Sequence, residues 1–310
     1  MRYGVYHLLI GSEIDFPEFP KASEDGATDV VISLGSVPDH LEDPIATGVL
    51  YEASAEEFLL RVPDVAAYYV NSEKIIVEPA GAPIDEVRVF LLGSAMGALL
   101  HLRGMLVLHA AAFATPQGAV LLAGHSGAGK STLVGAMLDR GYNLIVDDVC
   151  GVVLEDGKPI VLPGYPRTRL WADSAAKLGV DTDDLPRTRP SIEKFERQLD
   201  LERFEPVAQP FAAMYILIGH NTDEIEIEEL SAIDTFGAVL ANTYRRTFLE
   251  GLDMRDDHFK QASVVAATTK VSRVKRPSGG FMLDELADAL EADLGLASKP
   301  EIAASVEHDR

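Results

Sequence analysis

Between Gly124 and Ser131 the chain reads Gly-His-Ser-Gly-Ala-Gly-Lys-Ser. That spacing, G-x-x-x-x-G-K-[ST], belongs to loops that cradle phosphate. Glycines at 124, 127 and 129 let backbone N–H groups turn inward onto phosphate oxygens. A helix starting near Lys130 would add the positive end of its dipole. Lys130 would reach the β- and γ-phosphates of a nucleotide, and Ser131 would offer its hydroxyl to Mg²⁺. His125, Ser126, Ala128 and Thr132 complete the expected phosphate-binding stretch.

Two carboxylates follow in "LIVDDV", at Asp147 and Asp148. Residues 131–146 separate them from Lys130, which suffices for one helix, a glycine turn and one strand. A crossover of that kind returns the pair beside the loop, at the strand end where α/β sheets bind ligands. One carboxylate could hold Mg²⁺ while the other accepts a proton from an attacking hydroxyl. Alternation along a strand would point them to opposite faces unless the strand has ended. A single metal-binding Asp with a spectator neighbour is the simpler alternative. His109, in "VLHAAAF", could approach the nucleotide from the preceding strand, or could be a satisfied core histidine.

Arginines cluster downstream. "PRTR" occurs at 166–169 and again at 186–189, placing Arg167, Arg169, Arg187 and Arg189 close together in an acidic chain. Guanidinium groups suit bidentate phosphate recognition and neutralise charge developing in a transition state. The competing reading is a solvated loop whose arginines pair with Asp181, Asp183 and Asp184. "KVSRVKRP" (270–277) alternates valine with basic residues, as a strand with one wet face would, and could dock an acidic peptide.

The elements that must position these groups are legible in outline. Residues 1–82 are β-rich: "DVVISLG", "EFLLRV", "AAYYV" and "KIIVEP" read as strands, with "PAGAP" at a boundary. Residues 84–103 have the spacing of a buried helix. "MLVLHAAAF", "TPQG" and "AVLLAG" read as strand, turn and strand, followed by the loop and a helix over about 130–140. Gly141 sits where a helix end favours a left-handed residue. "NLIVDDV" is the next strand, "GVVLEDGKPIVLP" a hairpin turning at Asp156-Gly157, and "FAAMYILIG" (211–219) a buried strand. Helices are expected over roughly 233–250 and 282–294, and a frayed tail over 298–310.

Hydrophobic residues at 47% and charged residues at 25% are ordinary for a soluble protein, so a sizeable core can form. A net charge of −22 repels nucleic acid and anionic membranes, which excludes both as expected partners. The single cysteine, Cys150, allows no intrachain disulfide and reads as a buried strand residue. The N-terminus lacks the form of a signal peptide, and the most apolar stretch is broken by His101, Arg103 and His109. The expected compartment is the cytoplasm.

Taken together, the strand histidine, the hairpin, "GHSGAGKST", one helix, Gly141-Tyr142 and "VDDV" resemble the bacterial HPr serine kinase/phosphorylase family, whose fold is shared with phosphoenolpyruvate carboxykinase. "LLHLRGMLVLHAAAF" and "PGYPRTRLW" (163–171) resemble the HPr-kinase-related group, including kinases encoded beside lasso-peptide genes. The resemblance implies an α/β fold with a P-loop kinase domain of the HPr kinase / phosphoenolpyruvate carboxykinase type over 83–297, after an N-terminal β-rich domain over 1–82. It implies ATP and Mg²⁺, transfer to a serine of a peptide or small protein, and self-association into a homo-oligomer. It implies phosphate binding by Gly124–Thr132 and metal binding by Ser131 with one of Asp147 and Asp148, of which Asp148 is assigned to the metal here. The other carboxylate, assigned as Asp147, would abstract the proton with the aid of His109; Lys130, and on their chemistry Arg167 and Arg169, would stabilise charge. Thr132 stands where the HPr enzymes carry Glu, so neither HPr nor the phosphorylase reaction follows directly. A carrier-protein kinase/phosphorylase, a small-molecule kinase and a non-catalytic nucleotide sensor are the alternatives.

Overall fold

The computed structural model describes residues 1–23, 26–172, 175, 178, 180–182, 185–189, 192–220, 224–277 and 282–296. The expected tail over 298–310, together with Asp183 and Asp184, lies outside the described residues. So do the side chains of Arg187 and Arg189.

A first mixed sheet takes its strands from β1 (Arg2–Val5), β2 (Leu8–Ser12), β3 (Val30–Leu34), β4 (Ala46–Thr47), β5 (Tyr51–Ala53), β6 (Phe58–Val62), β7 (Ala66–Val70) and β8 (Lys74–Pro79). Their order is β1-β2-β3-β8-β7-β6-β5-β4. Alternation drives it: Val30 and Ile32 of β3, and Ile75 and Val77 of β8, point to the same apolar core.

The expected helix over 84–103 is α1 (Ile84–Phe90), a π-helical turn (Leu91–Ala95) and α2 (Met96–Leu102). Gly97 explains what this segment accommodates. A Cβ there would lie 2.7 Å from the Tyr244 ring, so the missing side chain lets that ring pack against the helix.

The second sheet contains β9 (Leu106–Thr115), β10 (Gly118–Ala123), β11 (Asn143–Val146), β12 (Val149–Glu155), β13 (Lys158–Val161), β17 (Gln209–His220), β18 (Glu226–Glu229) and β19 (Lys270–Pro277). Its order is β10-β9-β12-β13-β17-β19-β18, with β11 on β9 and β10 also pairing β17 in parallel. Helix α3 (Lys130–Asp139) links β10 to β11, and Gly141 follows it at φ 86°. Both strands are antiparallel to β9, so they run parallel to each other with β9 between. Asp156-Gly157 turns the hairpin between β12 and β13.

The sheet is buried on both faces, as its near-continuous apolar strands require. Leu106, Leu108 and Leu121 face one cluster, which continues through Leu99 and Leu91 to Tyr68 and Tyr3 of the first sheet. Phe113 and Leu122 face the other, with Leu133, Met137 and Tyr142 and with Leu290 of helix α7 (Leu283–Asp293). Cys150 is fully buried in β12, and burial pushes its thiol pKa up.

The two "PRTR" segments flank one strand. In a three-stranded sheet, β14 (Arg167–Trp171) and β15 (Arg187–Arg189) both pair antiparallel with β16 (Ile192–Gln198). For Arg167 and Arg169 the solvated-loop alternative is therefore corrected: both are buried.

The expected helix over 233–250 is shorter. Helix α4 (Ala232–Ala241) ends where Thr243 bridges to Leu108 of β9, a backbone pairing that helix continuation would forbid. A turn, α5 (Phe248–Gly251) and an unforeseen helix α6 (Arg255–Thr268) follow. Among the described residues no helix is long and apolar enough to cross a membrane.

Candidate active site

Strand β10 runs directly into the glycine-rich loop, and α3 begins at Lys130. Gly124 turns the chain at φ 134°, and a Cβ there would meet the Leu217 carbonyl oxygen at 2.7 Å. Only glycine fits both the backbone angle and that close approach. The loop is pinned from two sides. Asn242 Oδ1 accepts from the Gly124 N–H at 3.0 Å, and Arg276 Nη2 donates to the Ala128 carbonyl at 2.8 Å.

Lys130 is buried to 8% exposure, and its ammonium donates to the carbonyls of Gly124 (2.9 Å) and His125 (3.3 Å) and to His109 Nε2 (3.1 Å). With Lys130 donating to Nε2, the imidazole proton sits on Nδ1. That nitrogen lies 3.1 Å from Asp148 Oδ1. His109 is thus in the site.

The acidic pair escapes strand alternation because the strand stops. β11 ends at Val146, β12 starts at Val149, and Asp148 takes a left-handed φ of 84° while its N–H donates to the Ala110 carbonyl. Both carboxylates consequently line one cleft with His109, Lys130, Ser131 and Arg169. Asp147 is buried, with Oδ1 accepting from the Ser131 hydroxyl (3.0 Å) and Oδ2 from the Arg169 N–H (2.8 Å). Asp148 is less enclosed and faces His109 and Arg169. The sequence reading gave Asp147 the proton and Asp148 the metal. In the structure the loop hydroxyl sits on Asp147 and the histidine on Asp148.

Arg169 Nη1 donates to Asp148 at 2.9 Å and its Nε to Glu196 at 3.2 Å. Burial works against its charge, but the fields of Asp148, Tyr165, Glu196 and Asp147 outweigh that and hold its pKa raised. Its Nη2 is buried with no hydrogen-bond partner. Arg167 stands one layer back. Its Nη1 reaches Glu196 (2.7 Å) and Glu18 (3.4 Å), and its Nη2 the Tyr165 hydroxyl (3.0 Å).

Of the loop residues, Ser126, Gly127, Gly129 and Thr132 line this cleft, as does Trp171. His125 lies exposed at the rim, and Ala128 is buried beneath the loop. Glu18, Trp171, Glu196, Asn242 and Arg276 were not singled out from sequence. The last had a signal, lying in the basic strand 270–277. The other cations of that strand are engaged within the chain: Arg273 with Glu228, Lys275 with Glu226 and Glu228, and Lys270 with Asp293.

Among the described residues no three His, Cys, Asp or Glu side chains cluster to hold a metal unaided. Mg²⁺ needs less, since it binds through one or two carboxylates together with water and substrate phosphates. Ser131 Oγ and Asp147 Oδ1, hard oxygen donors beside the loop, fit that requirement.

No protein-family model matches the chain. No curated protein matches it either. Among solved structures, the HPr(Ser) kinase/phosphatase from Coxiella burnetii aligns over 61% of this chain and 93% of its own, with 14% identity and a TM-score of 0.33.

Proposed function

We propose that this chain is an ATP- and Mg²⁺-dependent phosphotransferase with an HPr-kinase-type P-loop domain, acting on a serine hydroxyl of a peptide or small protein. The observation that carries the reading is the convergence of Lys130, Ser131, Asp147, Asp148 and Arg169 on one cleft at the mouth of a glycine-rich loop. A second carboxylate and an arginine in the same cleft as the lysine favour transfer over a loop that only senses nucleotide.

In this reading the inward N–H groups of the loop and the α3 N-terminus hold the phosphates. Lys130 and the unpartnered Nη2 of Arg169 meet charge on the transferring group. Ser131 and Asp147 hold Mg²⁺, which when bound neutralises phosphate charge. Asp148 orients the acceptor hydroxyl and takes its proton. The acceptor oxygen bonds to the γ-phosphorus as the bond to the β-phosphate oxygen breaks, and ADP leaves. Phosphoryl transfer asks little of a base, so a carboxylate held by His109 and Arg169 suffices. The two carboxylates thereby exchange the roles expected from sequence.

The test is transfer of label from γ-labelled ATP with Mg²⁺ to serine peptides and small proteins. Label should appear on an acceptor and vanish in Lys130→Met and Asp148→Asn. Nucleotide binding without transfer to any acceptor would instead favour a sensor.

A further inference from the structure

A second cleft adjoins the first. The two share His109, Ser126 and Asp148, then diverge. The first runs on to Thr132 and Trp171, past the helix N-terminus. The second runs from Gly124 and His125 to the end of β17 and the segment Asn242–Arg245. Direction follows from the chemistry. In a loop of this kind the lysine marks the β- and γ-phosphates, and the kinase reading lays the leaving nucleotide in the first cleft, along the helix N-terminus that lines it. An attacking oxygen must arrive in line, from the side away from the leaving group. That side is the second cleft, and Asp148 stands where the two meet.

The walls of this cleft are built and held. Ile216 and Ile218 lie two residues apart on β17, so they share a face, and both are half-buried. Opposite them, the His109 N–H donates to the Asn242 carbonyl (2.7 Å) and the Tyr244 N–H to the Val107 carbonyl (2.8 Å), fixing the segment to β9. Arg245 follows in a left-handed conformation, φ 48°, which a non-glycine residue adopts only at a cost. Its side chain is exposed, with the guanidinium over the Tyr244 ring at 6.0 Å from the centroid. In a chain of net charge −22 it supplies a local positive field at the far end of the cleft.

Resting on the kinase reading above, we infer that the cleft between β17 and Asn242–Arg245 is the acceptor site, and that it takes a serine-bearing peptide segment carrying an apolar residue and an acidic residue beside the serine. Ile216 and Ile218 contact the apolar side chain. Arg245 pairs with the carboxylate. The serine hydroxyl then lies at Asp148.

The experiment uses the full chain and two binding readouts independent of transfer. Fluorescein-labelled peptides of one length, with serine flanked by Leu and Glu or by Leu and Lys, are titrated by anisotropy with Mg²⁺ and a non-hydrolysable ATP analogue present. A fluorescent ATP analogue is titrated separately. The acidic peptide should bind tighter. Arg245→Asn, which tolerates the left-handed backbone, should weaken it about five- to tenfold. Arg245→Glu should reverse the preference, and Ile218→Asp should weaken both peptides. Nucleotide affinity should stay within about twofold throughout, as expected of a site that does not hold the nucleotide. Failure of either peptide to bind, unchanged preference in Arg245→Glu, or weakened nucleotide binding in its place would overturn the assignment. The last result would give the cleft to the nucleoside. Peptide binding with this pattern but no phosphate transfer would sustain the site and sink the kinase reading.

Discussion

The Ser131 hydroxyl donates to Asp147 Oδ1 at 3.0 Å, joining the first turn of α3 to the end of β11. Asp148, the next residue, faces His109 and Arg169. Their different partners thus separate two chemically identical neighbours. Asp147→Asn should raise the Mg²⁺ concentration for half-maximal activity by at least about tenfold, with transfer partly restored at high Mg²⁺. Asp148→Asn should leave the Mg²⁺ requirement in place and lower kcat by about 10²–10⁴-fold. Magnesium titrations of both variants decide it, and the opposite pattern would restore the order read from sequence.

Lys130→Ala should cost about 10²–10³-fold in kcat/KM by removing a cation from the transferring group. It should also release His109 from its Nε2 contact. NMR of the imidazole resonances reports that second effect, and an unmoved His109 signal would contradict the contact.

Gly124→Ala forces a Cβ against the Leu217 carbonyl at an angle alanine avoids. The combined cost is about 2–5 kcal/mol, and nucleotide affinity should fall with it. Urea denaturation and ATP titration measure the two losses. Gly157→Ala, at a turn with nothing within 4 Å, serves as the control for left-handed strain alone.

His101 predicts a pH dependence of stability. Burial pulls its pKa down to about 4, against the opposing effect of the Tyr244 carbonyl, to which Nε2–H donates at 2.9 Å. The folded state therefore resists a proton that the unfolded chain accepts below about pH 6.5. Stability is full above that pH and falls as pH drops from about 6.5 to about 4, by on the order of 3 kcal/mol. Denaturation curves at pH 7.5 and 4.5 should show the loss, and His101→Gln should shrink it.

The sequence carried the loop well, because its residues are local: strand, glycines, lysine and helix follow one another without interruption. The strands of the first sheet were equally readable, through alternation such as Val30 and Ile32. Helix α6 was not, because the residues it buries, His258, Ala262 and Val265, are polar or small and leave no apolar stripe. The burial of Arg167 and Arg169 was hidden for a different reason. It depends on Glu196 and on Glu18, partners from β16 and from the first sheet's connecting loop. The convergence of Asp147 and Asp148 on one cleft hangs on one left-handed residue, which no periodicity announces.

Glu18 has a wider consequence. It is 4% exposed and sits between Arg88 of α1 and Arg167. Tyr6 lies nearby in the same first eighty residues, its hydroxyl donating to the Val149 carbonyl just past the acidic pair. The N-terminal region therefore buttresses, from behind, the arginine and the strand next to the candidate site. Cutting the chain near Ala82 would unseat the arginine layer and expose the back of β12 together, so catalytic competence and the N-terminal fold should be lost or kept as one.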